Sequence, residues 1–222
     1  MWPLVGEALP FGPDVVSSAA MTLDFENLAP RDIYAWMSNT ITPRPIAWVS
    51  TLSADGKTNL APFSYFQAIC SNPPILLFTG TVDRNGKPKD SVVNARQVPE
   101  FVVNLVNYEL AAPMNLTATP LPHGESEFEK FNIATAPSLK VKPPRVAAAP
   151  VAFECRVERI LDFGEGPSSA NVVFGRVVQM HVAESVLGAD GMVDPHKLDT
   201  VGRFGGNYYT RTKDLFTIQR PT

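Results

Sequence analysis

The chain has 222 residues, 45% hydrophobic and 18% charged, and 19 Lys and Arg against 22 Asp and Glu leave a net charge of -3. A slightly acidic chain without a basic run lacks the electrostatic footprint for nucleic acid or an anionic membrane surface, and no apolar run approaches the ~20 residues of a membrane span. One domain of this length buries roughly 70–75% of the surface its unfolded chain exposes, enough for a real core and an enclosed site.

Residues 1–20 hold three prolines and two glycines without a hydrophobic period, so they read as an irregular extension before one domain over 21–222. With no Lys or Arg there they make no secretory signal, and the two distant cysteines, Cys70 and Cys155, suggest no disulfide framework. The expected location is the reducing cytoplasm. The 21 prolines exceed the roughly 5% of average usage and argue against long helices.

Pro30 to Met37 predicts a short helix, with proline in the opening turn and apolar residues at i, i+3 and i+4. Ile46–Leu52, an Asp55-Gly56 turn and Thr58–Phe63 predict a hairpin. Ile75–Thr79 reads as a buried strand, Ser91–Arg96 as a helix and Phe101–Val106 as a strand. Val151, Phe153, Cys155 and Val157 alternate with Glu154, Arg156 and Glu158, which makes one side core and the other wet. Asn171–Val182 is apolar on both faces, as in a central barrel strand or an oligomer contact. Together these predict a mostly β, mostly antiparallel barrel with minor helices.

No hydrolase elbow, P-loop, zincin helix or EF-hand loop is present, and no catalytic side chain is assigned. Gly164-Glu165-Gly166 lies between strands and reads as a loop, not a dinucleotide fingerprint. His123, His181 and His196 lack ligand spacing, so no metal is expected. His181 reads as a structural histidine, the other two as exposed.

A polar set around the hairpin remains. Arg44 stands between two prolines that stiffen its backbone, Ser50-Thr51 end the first strand, and Lys89-Asp90-Ser91 open a helix. Hydroxyls, cations and a helix N-terminus suit a phosphate. Spacing alone also allows solvated charges and ordinary strand-end hydroxyls.

The run Ile41-Thr42-Pro43-Arg44-Pro45-Ile46-Ala47-Trp48-Val49-Ser50-Thr51, then Asn59 to Phe66, Asn72-Pro73-Pro74, Lys89-Asp90-Ser91 with Asn94, Phe101–Asn104 and Arg203 to Tyr209, resembles the flavin reductase-like family of FMN-binding split barrels. The resemblance covers about residues 21–211. It implies a six-stranded antiparallel Greek-key split barrel with flanking short helices, a homodimer, and FMN near the subunit interface. By motif position Arg44, Ser50, Thr51, Asn59, Ala61, Ser64, Tyr65 and Phe66 line the flavin. Lys89 and Ser91, where the family often has Thr, stand near the phosphate, and Arg203 and Tyr208 close the pocket. The implied activity is hydride transfer from NADH or NADPH to flavin, with electrons passed to an accepting enzyme. The alternative is a non-enzymatic FMN-binding electron carrier or flavin store. Backbone N–H groups of Asn59 to Ser64 are the expected donors to the flavin ring.

Overall fold

A computed structural model describes residues 20–221. The extension expected over 1–20 therefore lies, but for its last residue, outside the described residues. Helix α1 (Pro30–Thr40) opens the described fold. The hairpin of β1 (Ala47–Leu52) and β2 (Thr58–Phe63) follows, and Gly56 takes the left-handed φ of +83° that its turn demands. A second hairpin pairs β3 (Phe66–Ser71) with β4 (Pro74–Thr81). Next come α2 (Asp90–Gln97), β5 (Glu100–Leu105), α3 (Ala111–Leu116), α4 (Glu127–Lys130) and the short pair β6 (Thr135–Ala136) and β7 (Arg145–Val146). Two 13-residue strands, β8 (Val151–Phe163) and β9 (Ala170–Val182), precede α5 (Pro195–Leu198) and the pair β10 (Val201–Arg203) and β11 (Tyr209–Arg211).

The main sheet runs β2-β1-β5-β8-β9-β4-β3 and is antiparallel throughout. It has seven strands, where the family resemblance implies six. The added strand is β3. Sequence reading ends the second strand at Phe63, as observed, and assigns no strand after the break at Ser64-Tyr65, where from Gln67 to Ser71 the side chains of β3 are exposed. An exposed edge strand carries little of the hydrophobic alternation by which strands are recognised.

The sheet coils on itself. β2 and β4 stand far apart in strand order, yet the rings of Phe63 and Phe78 approach to 4.9 Å, and Phe78 meets Phe101 edge-on at 5.2 Å. Ala47, Val49, Val103, Cys155 and Val173 complete the interior, and Val92 and Ala95 of α2 plug it. β9 is central as expected, between β8 and β4, but only its first half alternates cleanly inward and Met180 is exposed. The interior is tight at Gly175, where a Cβ would overlap the Phe101 ring. Burial pushes the Cys155 thiol far up, while Cys70 is exposed. No helix among the described residues is long and apolar enough to cross a membrane.

Glu154 contradicts the expected alternation, because it is fully buried where the pattern made it wet. Its carboxylate accepts the Leu139 N–H at 2.7 Å and the Lys140 N–H at 2.5 Å, and pairs with His181 Nε2 at 2.6 Å. The histidine is thus structural, as read. Burial pushes the Glu154 pKa up, but the Leu139 N–H, His181 and the Lys140 N–H together bring it below the ordinary carboxylate value. A folded-state pKa below the unfolded one stabilises above the unfolded value, and that stabilisation is lost as pH falls through the carboxylate range. The stability gap between the native chain and Glu154→Gln is therefore expected to be wide at about pH 7 and to narrow toward about pH 3.5. Urea unfolding at both pH values checks this, and a gap independent of pH refutes it.

Candidate functional site

The N-terminus of α2 gathers donors of the kind that suit an anion. Its N-cap is Lys89, in extended conformation and with no side-chain cap, and the first-turn N–H groups of Asp90 and Ser91 have no hydrogen-bond partner among the described residues. The preceding loop is held by Asp83, whose Oδ1 accepts the N–H groups of Asn85 and Lys87, each at 2.8 Å. Those bonds hold the Asp83 carboxyl below its ordinary pKa and fix the approach of Lys87-Pro88-Lys89. Across from α2, Asn59 on β2 donates from Nδ2 to Ser91 Oγ at 2.9 Å.

These residues line one cavity of about 400 Å³, within the range of ligand pockets. Its floor is Asn59, Ala61, Pro62 and Phe63 of β2, one end is Lys89-Asp90-Ser91, and the far wall is the segment 117–121 with His123 and Glu127. The wall is anchored from the core. The Trp48 indole N–H donates to Thr117 Oγ1 at 2.9 Å, and that hydroxyl donates to the Met114 carbonyl at 2.7 Å. α4 is fastened to the free edge of β2 by Thr58 Oγ1 with Ser126 Oγ at 2.6 Å and by Glu127 Oε2, which accepts the Leu60 N–H at 2.8 Å. His123 Nδ1 lies 3.0 Å from Asp90 Oδ1 at the mouth.

Of the twelve positions carried over by resemblance, Asn59, Ala61, Lys89 and Ser91 meet in this cavity. Ser50 and Thr51 do not line it. Both are fully buried braces: Ser50 Oγ donates to the Pro144 carbonyl, and Thr51 Oγ1 accepts from Asn94 Nδ2 at 3.0 Å. Arg44 is not a free cation for phosphate. It is 6% exposed, and its guanidinium donates to the carbonyls of Ser38 (2.6 Å), Ile41 (2.8 Å) and Phe204 (3.1 Å) and to Ser64 Oγ (3.4 Å). The physical reason lies in α1, which has no basic residue in its last turn and presents open carbonyls there.

Arg44 and Phe66 line a separate, mainly apolar hollow of about 440 Å³ with Leu105, Phe153 and Val201. Arg44 also stands 5.9 Å from the centre of the Tyr65 ring. Burial pushes the Tyr65 hydroxyl pKa up, with Tyr34 adding to it and Arg44 opposing. Arg203 pairs its backbone with that of Arg44 and donates from its guanidinium to the carbonyls of Tyr208 and Gly206, while Tyr208 itself is 75% exposed. Neither Arg203 nor Tyr208 closes the α2 cavity.

Of the expected N–H donors from Asn59 to Ser64, those before Ser64 are spent in the sheet or on Glu127, or are absent. Asn59, Ala61 and Phe63 face Thr51, Val49 and Ala47 in the β1–β2 ladder. By alternation the Leu60 N–H points off the edge of the sheet, where Glu127 accepts it, and Pro62 has none. The N–H groups of Ser64 and Tyr65, past the strand end, have no backbone partner among the described residues. Asp83, Lys87, Thr117, His123 and Glu127 were missed by sequence reading. No local motif marks them; they converge only when the barrel closes.

The sequence model described as "Flavin reductase like domain" matches residues 37–202. A protein of Deinococcus radiodurans is 41% identical over 197 residues, covering 85% of each chain, and one of Halalkalibacterium halodurans is 34% identical over 204 residues, covering 91% of this chain and 97% of the relative. Among solved structures, nitrilotriacetate monooxygenase component B from Bacillus cereus superposes with a TM-score of 0.86 at 31% identity, over 91% of this chain and all of that one. The 2-nitrobenzoate 2-nitroreductase of Pseudomonas fluorescens gives 0.80 at 30% identity, over 91% and 97%. With three quarters of its length inside the family match, and a coiled antiparallel sheet flanked by short helices in keeping with a split barrel, this chain belongs to the flavin reductase-like family.

Proposed function

We propose that the chain is an FMN-binding oxidoreductase that takes a hydride from NADH or NADPH. The observation that carries this reading is the cradle at α2: Lys89, Ser91 Oγ and two open N–H groups share one cavity with Asn59, in a member of a flavin-handling family. That donor set fits a phosphate monoester. The component B and nitroreductase relatives support redox chemistry.

A bound FMN would supply the redox chemistry, taking up a hydride from a nicotinamide and giving up its electrons to an acceptor. The protein's work is positional. Lys89, Ser91 and the α2 N-terminus hold the phosphate, Asn59 sets the Ser91 hydroxyl, and the open N–H groups of Ser64 and Tyr65 serve as preorganised donors to the ring's carbonyl edge. The Asp90–His123 pair, with Nδ1 at 3.0 Å from Oδ1, sits beside the cradle and draws one Asp90 oxygen away from where a phosphate would lie.

Lys89→Ala is expected to weaken FMN roughly ten-fold or more and leave riboflavin unchanged, since charge-assisted bonds contribute about 1.5–3 kcal/mol and only FMN carries the phosphate. Equal losses for both ligands count against the cradle. Anaerobic stopped-flow mixing of the FMN-loaded protein with NADH and with NADPH tests the reaction through bleaching of the flavin band. Flavin uptake without bleaching by either donor would instead indicate a carrier or store.

A further inference from the structure

Glu127 is a charge where a phosphate-binding cavity has least use for one. It is 7% exposed and lines the cavity. One oxygen, Oε2, holds the Leu60 N–H, while Oε1 has no hydrogen-bond partner among the described residues. Oε1 is not among the buried unpartnered atoms of the described residues, so it faces the solvent of the cavity and is free to accept from a ligand that brings a donor.

Its position narrows the choice of donor. Burial pushes the Glu127 pKa up, the bond from the Leu60 N–H opposes that, and the charge of Asp90 adds to the rise. Asp90 is the first residue of α2, so Glu127 lies within electrostatic reach of the phosphate end of the cavity. A carboxylate repels a phosphate and must meet something uncharged next to it. In a flavin nucleotide, the groups between phosphate and ring are the hydroxyls of the ribityl chain, each a hydrogen-bond donor.

We propose that Glu127 is a specificity-determining residue whose free carboxylate oxygen accepts a hydrogen bond from a ribityl hydroxyl, selecting flavins that carry the polyol chain. This rests on the flavin reading above. Two jobs thus fall to one side chain: Oε2 pins α4 to the edge of β2, and Oε1 reads the ligand.

The test is equilibrium titration of the full chain and of Glu127→Ala and Glu127→Gln with riboflavin and with lumiflavin, which has the ring but no ribityl chain. Riboflavin avoids the change in repulsion that FMN's phosphate would add. Glu127→Ala is expected to weaken riboflavin roughly ten-fold or more, Glu127→Gln to weaken it less, and neither to change lumiflavin. Should Glu127→Ala fail to fold because the Leu60 N–H is left unpaired, Glu127→Gln keeps an acceptor for that N–H and gives the same comparison. Equal losses for both ligands, or undiminished riboflavin binding in the variants, overturn the proposal while the flavin reading stands. A native chain that takes up neither flavin overturns both.

Discussion

Trp48→Ala is expected to lower the free energy of unfolding by about 3–5 kcal/mol, the range for removing a large aromatic from a packed core. Trp48 is fully buried among Ile46, Leu60, Val106, Met114, Phe128, Val146 and Val201, so truncation opens a cavity that strands on several sides cannot collapse to fill. The loss reaches the site as well. The indole N–H is the tie that holds Thr117, and Thr117 begins the cavity wall opposite α2. Trp48→Phe separates the two effects. It keeps most of the apolar burial and deletes the tie, at a cost of about 1 kcal/mol for one hydrogen bond. Urea unfolding gives the stabilities, and FMN titration of both variants shows whether the wall has slackened. A midpoint unchanged in Trp48→Ala would rule out the packing argument.

Arg44→Ala is expected to cost about 3 kcal/mol or more, because it strips three carbonyls of a charged donor in a place that water reaches poorly. The bonds fasten the end of α1 and the Phe204 segment to the strand entering the barrel. Arg44→Lys recovers little of this, since one ammonium on a flexible stem does not reproduce a planar fork with donors on three nitrogens. Affinity gives the sharper distinction. If Arg44 is a clamp, FMN and riboflavin weaken together or not at all in Arg44→Ala, whereas Lys89→Ala selects against FMN. Loss of FMN alone, with stability intact, would restore Arg44 to the phosphate.

The two arginine-and-lysine experiments mark how far the sequence could be read. Arg44 and Lys89 look alike in the chain: each is a cation beside prolines, near hydroxyl residues, in a segment that resembles the family. Lys89 heads a helix whose first-turn N–H groups are open, a local fact that the pattern Lys-Asp-Ser before an apolar run already carries. The fate of Arg44 depends on the C-terminus of α1 and on Phe204, 160 residues along the chain, and no local pattern contains either.

Glu154 teaches the same lesson from the sheet. Strict alternation placed it in water, but the loop of Leu139 and Lys140 folds over that face and supplies N–H groups to its carboxylate. Alternation assigns a residue to a face; what covers the face is settled by other parts of the chain.

Helices α1 and α2, the Asp-Gly hairpin, strands β4, β5, β8 and β9 and the family were legible in the amino-acid sequence, because periodicity, turn chemistry and motif spacing are properties of neighbouring residues, while the short elements α3, α4, α5, β6, β7, β10 and β11 are too brief to show a period. β3 escaped, since an exposed edge strand imposes little hydrophobic pattern. Only the tertiary structure decided which polar residues share a cavity. Coiling the sheet brings Asn59 to Ser91 and carries Thr117, His123 and Glu127 over the β2 edge, while it draws Arg44, Ser50 and Thr51 into bracing the frame. Hydrogen-bond partners at long sequence separation are chosen by closure of the barrel, and a donor already spent on the frame has nothing left to offer a ligand.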